Sequence, residues 1–299
     1  MTPSAAREIR EVEGRPLTLS SLDKVLWPAT GFTKGEMIDY YARVAPALLP
    51  HITDRPMTLG RFPDGVDGPG FAQTECRGKP DWMATFPIRL RSGQLRNYCL
   101  VNDLPSLLWV ANLGAIELHP FLARAPALDE PAGVLFDLDP QEPAGTAECA
   151  RVALRLREVL SEHGLIAVAK TSGSAGVHVL VPLNAPHSYV ETKAFARELA
   201  ERLAGADPGI AARASRRAAR AGTVLVDWAQ NSERRSTAAP YSLRVADVPS
   251  VSAPVRWEEV EQATRHAQRL VFGPADVLER LAQGGDLFEA ALTAVQRLA

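Results

Sequence analysis

The segment Val134–Pro140 reads VLFDLDP and places two aspartates, Asp137 and Asp139, one residue apart in an apolar run. An apolar run of this length is typical of a buried strand, in which an uncompensated charge is costly. Residues i and i+2 of a strand point to the same face, about 7 Å apart along the chain. Two carboxylates on one face repel each other unless a cation lies between them, and acidic oxygens suit Mg²⁺ or Mn²⁺. The segment therefore predicts a strand that holds divalent metal for phosphate chemistry. The alternative is a turn that begins before Pro140, because Asp-Pro is common in turns.

A third aspartate, Asp227, ends the apolar segment Val224–Val226. A two-metal site uses about three carboxylates that converge on ions roughly 3.5–4 Å apart. One ion lowers the pKa of an attacking hydroxyl, and the other holds a triphosphate and stabilises the leaving pyrophosphate. We therefore take Asp137, Asp139 and Asp227 as candidate catalytic residues and metal ligands.

A small-residue segment, Ser172–His178 with the sequence SGSAGVH, lies between two predicted strands. Small residues let backbone N–H groups approach an anion closely, as in a nest. The Ser172 hydroxyl and the His178 ring add further donors, so the segment predicts a phosphate site. The alternative is a plain glycine-rich hairpin with an incidental histidine.

Histidine and basic residues elsewhere are weaker indications. His119 follows Glu117 on a predicted strand, where a lone histidine is usually structural. Lys24 and Lys34 flank Trp27-Pro28, and Arg244 follows PYSL. Arginine suits bidentate contact with phosphate, but a solvated helix face is the simpler interpretation for most of one arginine-rich segment. That segment contains Arg213, Arg216, Arg217 and Arg220.

Helices and strands are both predicted, which indicates an α/β or α+β fold. Thr33 and Glu36 form a capping-box pattern, and the helix they begin is expected to stop before Pro46. Residues 1–15 are expected to form a loose arm and residues 60–80 a loop. Further helices are expected over 104–113, 145–163, 190–203 and much of the chain from 257, and further strands over 116–119, 165–170, 179–181 and 224–228. We expect a single catalytic domain over 1–299, with an N-terminal arm at 1–19 and a helical C-terminal part at 255–299.

The net charge of −2 and the pI of about 6.3 exclude a strongly basic nucleic-acid coat protein. Contact with DNA or RNA would need local basic patches, and composition alone also fits an enzyme with a small-molecule substrate. Three cysteines are an odd number for a disulfide framework, so a reducing cytoplasm is the expected compartment. The sequence has no apolar run long enough to cross a bilayer and no secretory signal, so no membrane partner is expected.

Six stretches occur in the order of a known family and span about residues 20–250. They are DKVLWP at 23–28, ELH at 117–119, FDLDP at 136–140, TSGSAGVH at 171–178, VDWAQN at 226–231 and APYSLR at 239–244. Together they resemble the archaeo-eukaryotic primase superfamily, and more closely the polymerase domain of bacterial ATP-dependent DNA ligase D and its stand-alone relatives. The resemblance implies a primase-polymerase fold, with mixed β-sheets flanked by helices.

The resemblance also implies an activity and roles for the acidic and phosphate-binding residues. Asp137, Asp139 and Asp227 would hold two Mn²⁺ or Mg²⁺ ions, and Ser172 and His178 would hold the triphosphate of the incoming nucleotide. The activity would be a template-dependent DNA or RNA polymerase that adds nucleotides, preferentially ribonucleotides, to primer 3′-ends at short gaps or breaks during gap filling and end joining.

Further roles follow from the same resemblance. His119 would contact the nucleotide near its sugar, and Arg220 and Arg244 would order the active site and the phosphates. Lys24 and Lys34 match positions that bind a 5′-phosphate on the far side of a gap. The expected partners are DNA that carries such a phosphate, nucleoside triphosphates, and an ATP-dependent DNA ligase encoded or acting separately, in the cytoplasm and associated with the nucleoid.

The chain departs from the family at the position that stacks on the template. The family often has two adjacent aromatic residues there, whereas this chain has Phe71 followed by Ala72. One ring still stacks a base with about 1–3 kcal/mol. No ligase motif is present, so we expect a stand-alone polymerase or an excised domain. Two alternatives stay open: a DNA-end binding module with secondary catalysis, and a phosphohydrolase that uses the same metals.

Overall fold

The computed structural model describes residues 7–212, 221–266 and 270–298. It has a mixed α/β fold, which confirms the predicted fold class. The described helices are α1 Lys34–Ile52, α2 Leu104–Asn112, α3 Thr146–Glu162, α4 Tyr189–Ala206, α5 Trp257–His266, α6 Pro274–Gly284 and α7 Ala290–Thr293. The described strands are β1 Arg7–Val12, β2 Arg15–Ser20, β3 Val25–Trp27, β4 Phe32–Thr33, β5 Pro56–Arg61, β6 Phe71–Gln73, β7 Thr85–Arg89, β8 Leu95–Leu100, β9 Ala115–Pro120, β10 Gly133–Pro140, β11 Val168–Thr171, β12 Val177–Pro182, β13 Ile210–Ala212, β14 Val224–Asp227, β15 Leu243–Arg244, β16 Ser250–Val251 and β17 Pro254–Val255.

Two large sheets organise the described residues. The six-stranded sheet has the order β13-β14-β10-β12-β11-β17. The five-stranded sheet has the order β6-β5-β8-β7, with β9 paired to β5. Each sheet packs its own hydrophobic core: the first with α3, α4 and α5, the second with α1 and α2.

The central strand β10 shows how the sequence pattern sets the two faces of the six-stranded sheet. Val134, Phe136 and Leu138 are fully buried in the core with α3 and α4. Because successive side chains alternate between faces, Asp137 and Asp139 lie on the opposite face. The predicted strand is confirmed, and its polar face is available for chemistry.

Helix α1 begins at the predicted capping box, in which Thr33 and Glu36 bond reciprocally. The predicted stop before Pro46 is wrong, because the helix continues through Pro46 and Pro50 to Ile52. A proline inside a helix costs about 3 kcal/mol. The last turns bury apolar side chains in the core of the five-stranded sheet, and that packing offsets the cost.

Residues 7–20 are not the loose arm that we expected, since β1 and β2 form an antiparallel hairpin, and residues 1–6 lie outside the described residues. Leu17 and Leu19 of β2 are buried, and Ser20 N donates to Asn112 Oδ1 at 3.0 Å. The alternation of apolar and polar residues in RPLTLS is the pattern of a half-buried strand. The expected loop over 60–80 likewise contains a strand, β6, which pairs with β5.

The odd number of cysteines argued against a disulfide framework, but the structure has one disulfide. Cys76 and Cys99 form a disulfide, and Cys149 is free and buried. The pairing follows from the fold, because Cys76 N donates to Asn97 O at 2.8 Å and so places the loop against β8. None of the described helices has the length and apolar character needed to cross a membrane.

Candidate active site

A row of polar side chains crosses the face of the six-stranded sheet that is turned away from α3 and α4. Asp137 of β10 pairs with Asp227 of β14 on one side and with His178 of β12 on the other. His178 pairs in turn with Lys170 of β11. Opposed residues of antiparallel strands carry their side chains on one face, about 4.5–5.5 Å apart. Asp139, two residues after Asp137, lies on that face as well, so the three predicted catalytic aspartates share one surface.

Mutual repulsion among these carboxylates is visible at Asp227. Burial raises the pKa of Asp227, and the charges of Asp137 and Asp139 raise it further, against a hydrogen bond from Ala229 N at 2.8 Å. The Asp139 carboxylate accepts from Gln141 Nε2 at 3.1 Å. Within the described ranges, no group of three or more His, Cys, Asp or Glu side chains is gathered so that it could hold a metal ion as it stands. The oxygen donors and their repulsion nevertheless fit a divalent cation, toward which the side chains would have to turn.

His178 is buried between an acid and a base. Its Nε2 lies 3.3 Å from Asp137 Oδ1, and its Nδ1 lies 2.8 Å from Lys170 Nζ. Lys170 also donates to Ser252 Oγ at 2.7 Å. Burial and then the charge of Lys170 lower the pKa of His178, and burial lowers the pKa of Lys170. With Lys170 as the donor to Nδ1, the proton of the neutral ring would lie on Nε2 and face Asp137.

The small-residue turn 172–176 lies at the end of this row and is closed by a hydrogen bond from Ser172 N to Gly176 O at 2.9 Å. Gly173 has a φ of +92°, which a residue with a side chain rarely adopts. A Cβ on Gly173 would also lie 2.3 Å from Arg244 Cγ. Both the backbone conformation and the close approach of Arg244 therefore require glycine at position 173. Because glycine has no side chain, the stem of Arg244 packs directly on the turn.

The facing side of the site is built by β9 and β15. His119 Nε2 lies 2.8 Å from Glu117 Oε2, and Arg244 Nη1 lies 3.4 Å from the same oxygen. A buried hydrogen bond from Leu118 N to Ser242 Oγ, at 2.9 Å, ties the two segments together. Arg244 links this side to the polar row, because its stem packs on the Gly173 turn and its charge acts on Lys170 and His178. We call the region where the two sides meet the cleft.

A second group of residues forms a basic cluster outside the cleft, defined by Lys24, Lys34 and Arg61 with Phe71. Burial lowers the pKa of Lys34 to about 8, helped by the charges of Lys24 and Arg61. Lys24 Nζ makes an exposed ion pair with Asp64 at 2.6 Å. The guanidinium of Arg61 lies 5.2 Å from the centroid of the Phe71 ring, which is 49% exposed. The cluster offers positive charge beside an aromatic surface, which suits a nucleic-acid end.

The structure therefore divides the predicted site residues into two groups. The residues in the cleft are His119, Asp137, Asp139, Ser172, His178, Asp227 and Arg244. The residues in the basic cluster are Lys24, Lys34 and Phe71. Arg220 lies outside the described residues, as do Arg213, Arg216 and Arg217.

Sequence reasoning missed three residues of these groups: Lys170, Glu117 and Arg61. Lys170 lies near the end of strand β11, and only the pairing of β11 with β12 shows that it meets His178. Arg61 meets Phe71 only through the pairing of β5 with β6. Glu117 is the residue of the three that could have been predicted from the sequence, because an acid two residues before a histidine on a strand lies on the same face as the histidine.

Comparisons with known proteins identify the family of the chain. The family model described as "LigD, primase-polymerase domain" matches residues 33–288. The solved polymerase domain from Mycobacterium tuberculosis ligase D, in complex with DNA, is similar with a TM-score of 0.86 and 37% identity, covering 94% of this chain and 99% of that one.

Longer relatives are similar over part of their length. The multifunctional non-homologous end joining DNA repair protein LigD of Mycobacterium tuberculosis is 38% identical over 282 residues, which cover 91% of this chain and 36% of the relative. The bifunctional non-homologous end joining protein LigD of Bacillus subtilis is 29% identical over 271 residues, or 90% of this chain and 43% of the relative. The chain thus spans about a third of the mycobacterial protein. With its fold and six ordered motifs, the chain belongs to the LigD primase-polymerase domain family.

Proposed function

We propose that the chain is a metal-dependent nucleotidyltransferase that extends primer 3′-ends at short gaps or breaks in DNA during end-joining repair. The carrying observation is that three strand-borne aspartates share one face beside the small-residue turn 172–176. The names of the relatives support the repair setting, and the solved relative is a polymerase domain in complex with DNA.

The metal site would be formed by Asp137, Asp139 and Asp227. When bound, two Mn²⁺ or Mg²⁺ ions would lower the pKa of the primer hydroxyl and stabilise the leaving pyrophosphate. The remaining residues bind and orient the nucleotide. Ser172 and its turn offer a hydroxyl and backbone N–H groups to the phosphates. Because phosphoryl transfer needs the attacking and leaving oxygens roughly in line, this positioning is the main contribution of the chain.

Arg244 completes the phosphate contacts from the opposite side of the cleft. Its Nη1 is held near Glu117, while its Nε is buried without a hydrogen-bond partner among the described residues. A buried unpaired donor is costly unless a ligand satisfies it. The unpaired Nε supports a role for Arg244 in binding the triphosphate, with His119 beside it for the sugar.

The basic cluster would bind the DNA end. Lys24 and Lys34 would contact a 5′-phosphate, and Phe71 would stack on a template base. The net charge of −2 gives no general attraction to DNA, so this local cluster would determine the affinity. We further propose a preference for ribonucleotides, a separately acting or encoded ATP-dependent ligase as partner, and a cytoplasmic, nucleoid-associated location.

Extension of a primer in a gapped, 5′-phosphorylated duplex tests the proposal. We expect pyrophosphate release with Mn²⁺ or Mg²⁺, and no reaction when the metals are chelated. Asp137→Asn should lower the extension rate by about a hundredfold or more, since metal contacts contribute several kcal/mol to the transition state. Asp129→Asn, at an exposed position, is the matched control. Full activity of Asp137→Asn would refute the proposal, and release of phosphate instead of pyrophosphate would favour a phosphohydrolase.

The basic cluster also favours a second candidate, a DNA-end binding module in which catalysis is secondary. This function predicts that a 5′-phosphate strongly raises DNA affinity, and that Lys24→Ala removes the preference. A gel-shift series with and without the phosphate measures this effect. High affinity with no measurable extension would favour the second candidate over the first.

A further inference from the structure

Glu117 makes a set of contacts that the polymerase chemistry does not by itself explain. Its side chain is 15% exposed, and Oε1 accepts from Val245 N at 3.0 Å. Oε2 lies 2.8 Å from His119 Nε2 and 3.4 Å from Arg244 Nη1. Gly60 pairs with Glu117 across the sheet, and a Cβ on Gly60 would lie 2.9 Å from Glu117 Cβ. The fold therefore makes room for this carboxylate and fixes it from several sides.

These contacts keep Glu117 ionised. Burial acts to raise its pKa, but the hydrogen bond with His119, the charge of Arg244 and the Val245 N–H together bring it below the usual value. An ionised carboxylate only accepts hydrogen bonds. The proton between Glu117 and His119 therefore lies on Nε2 of the imidazole.

The proton on Nε2 determines the hydrogen-bonding role of the other ring nitrogen of His119, Nδ1. In the neutral imidazole, a proton on Nε2 leaves Nδ1 as a hydrogen-bond acceptor. Nδ1 of His119 makes no hydrogen bond with any other residue that the structure describes. Arg244 Nη1, which can only donate, also lies 3.3 Å from Nε2 and competes for that nitrogen. The shorter 2.8 Å contact with the Glu117 carboxylate, which can only accept, assigns the proton to Nε2.

We infer that Glu117 is a positioning residue for nucleotide selection: it holds His119 with Nδ1 as the acceptor for a sugar hydroxyl, and it holds Arg244 for the phosphates. This inference rests on the proposed function and deepens it. A ribose 2′-hydroxyl donates to such an acceptor, whereas a deoxyribose offers no donor there. A site built to bond a substrate hydroxyl discriminates against the analogue that lacks it.

The test compares kcat/KM for a ribonucleoside triphosphate with that for its 2′-deoxy counterpart, in extension of a gapped duplex. Glu117→Gln preserves shape, but its amide can donate to Nε2 and so release the choice of tautomer. We expect the ribo-to-deoxy ratio to fall by about five- to tenfold, the contribution of one hydrogen bond. The ratio cancels losses common to both substrates, such as those through Arg244. Glu158→Gln, on the exposed face of α3, should leave the ratio unchanged.

A double variant separates the positioning of His119 by Glu117 from any other effect of the substitution on the ribo-to-deoxy ratio. In a His119→Ala background, Glu117→Gln should produce no further change in the ratio, because the group that it positions is absent. An active Glu117→Gln variant with the wild-type ratio would overturn the inference. A further fall in the His119→Ala background would overturn it as well.

A measurement on the unmodified chain covers the case in which Glu117→Gln fails to fold. Nitrogen-15 NMR of labelled histidine, with His119 assigned from the His119→Ala spectrum, should show the proton on Nε2. A proton on Nδ1, alone or together with one on Nε2, would overturn the inference, because Nδ1 could then not accept a hydrogen bond. Absence of any primer extension by the wild-type chain would refute the proposed function, whereas extension without a ribonucleotide preference would refute this inference alone.

Discussion

The affinity of the basic cluster for a 5′-phosphate should depend on pH through Lys34. Lys34 is 6% exposed, and burial beside Lys24 and Arg61 lowers its pKa to about 8. A phosphate monoester has its second pKa near 6, so it carries its full charge above pH 7. Of the phosphate and this lysine, the lysine is therefore the one that titrates between pH 7 and pH 9. A phosphate favours the charged lysine, so binding weakens as rising pH removes the proton.

The magnitude follows from the pKa. With a pKa of about 8, roughly nine-tenths of Lys34 is charged at pH 7 and roughly one-tenth at pH 9. If only the charged form binds the phosphate, affinity should fall by about tenfold over this interval, or about 1.4 kcal/mol.

Fluorescence anisotropy with gapped DNA at constant ionic strength measures this effect. The same duplex without the 5′-phosphate is the reference at each pH, because it removes effects on other DNA contacts. Lys34→Arg keeps its charge throughout and should bind with a flat pH profile. A flat profile for the wild-type chain, or an equal slope for Lys34→Arg, would refute the reasoning.

Three further perturbations test other parts of the structure. Asp64→Asn removes the carboxylate that pairs with Lys24 and should tighten binding of 5′-phosphorylated DNA by about two- to fivefold in anisotropy, since an exposed pair contributes less than about 1 kcal/mol; weaker binding would contradict it. Gly173→Ala forces a side chain against Arg244 at a positive φ and should lower the free energy of unfolding by about 1–3 kcal/mol in urea titrations while raising KM for the triphosphate; an unchanged KM would show that the arginine does not depend on the turn. Phe71→Ala should weaken binding to a single-stranded template overhang by about 1–3 kcal/mol, with blunt duplex as the control and equal losses on both as the contrary result.

The acidic centre could be predicted because local pattern and tertiary structure agree there. An apolar run with aspartates at i and i+2 has only one face free for them once the other is buried. The same holds for the capping box of α1, whose two residues are three positions apart. In both cases, the interacting groups are close in sequence.

Features that depend on pairing between distant segments could not be predicted. Nothing in the sequence around Lys170 indicates a functional role, which follows only from the pairing that places His178 of β12 opposite it. Arg61 joins the basic cluster only because β5 pairs with β6. The predicted end of α1 was wrong for a related reason. Its prolines indicate a break locally, but burial of Leu48 and Ile52 decides the outcome.

The functional groups of the cleft are supported by two separate hydrophobic cores. The aspartates lie on strands of one, whereas His119 and Arg244 lie on strands of the other. In the proposed function, a nucleotide in the cleft would span the distance between them, with its sugar on one side and its reacting phosphate on the other. Substitutions deep in either core that shift this spacing by a fraction of an ångström can therefore misalign the reaction while every residue that touches the nucleotide stays unchanged.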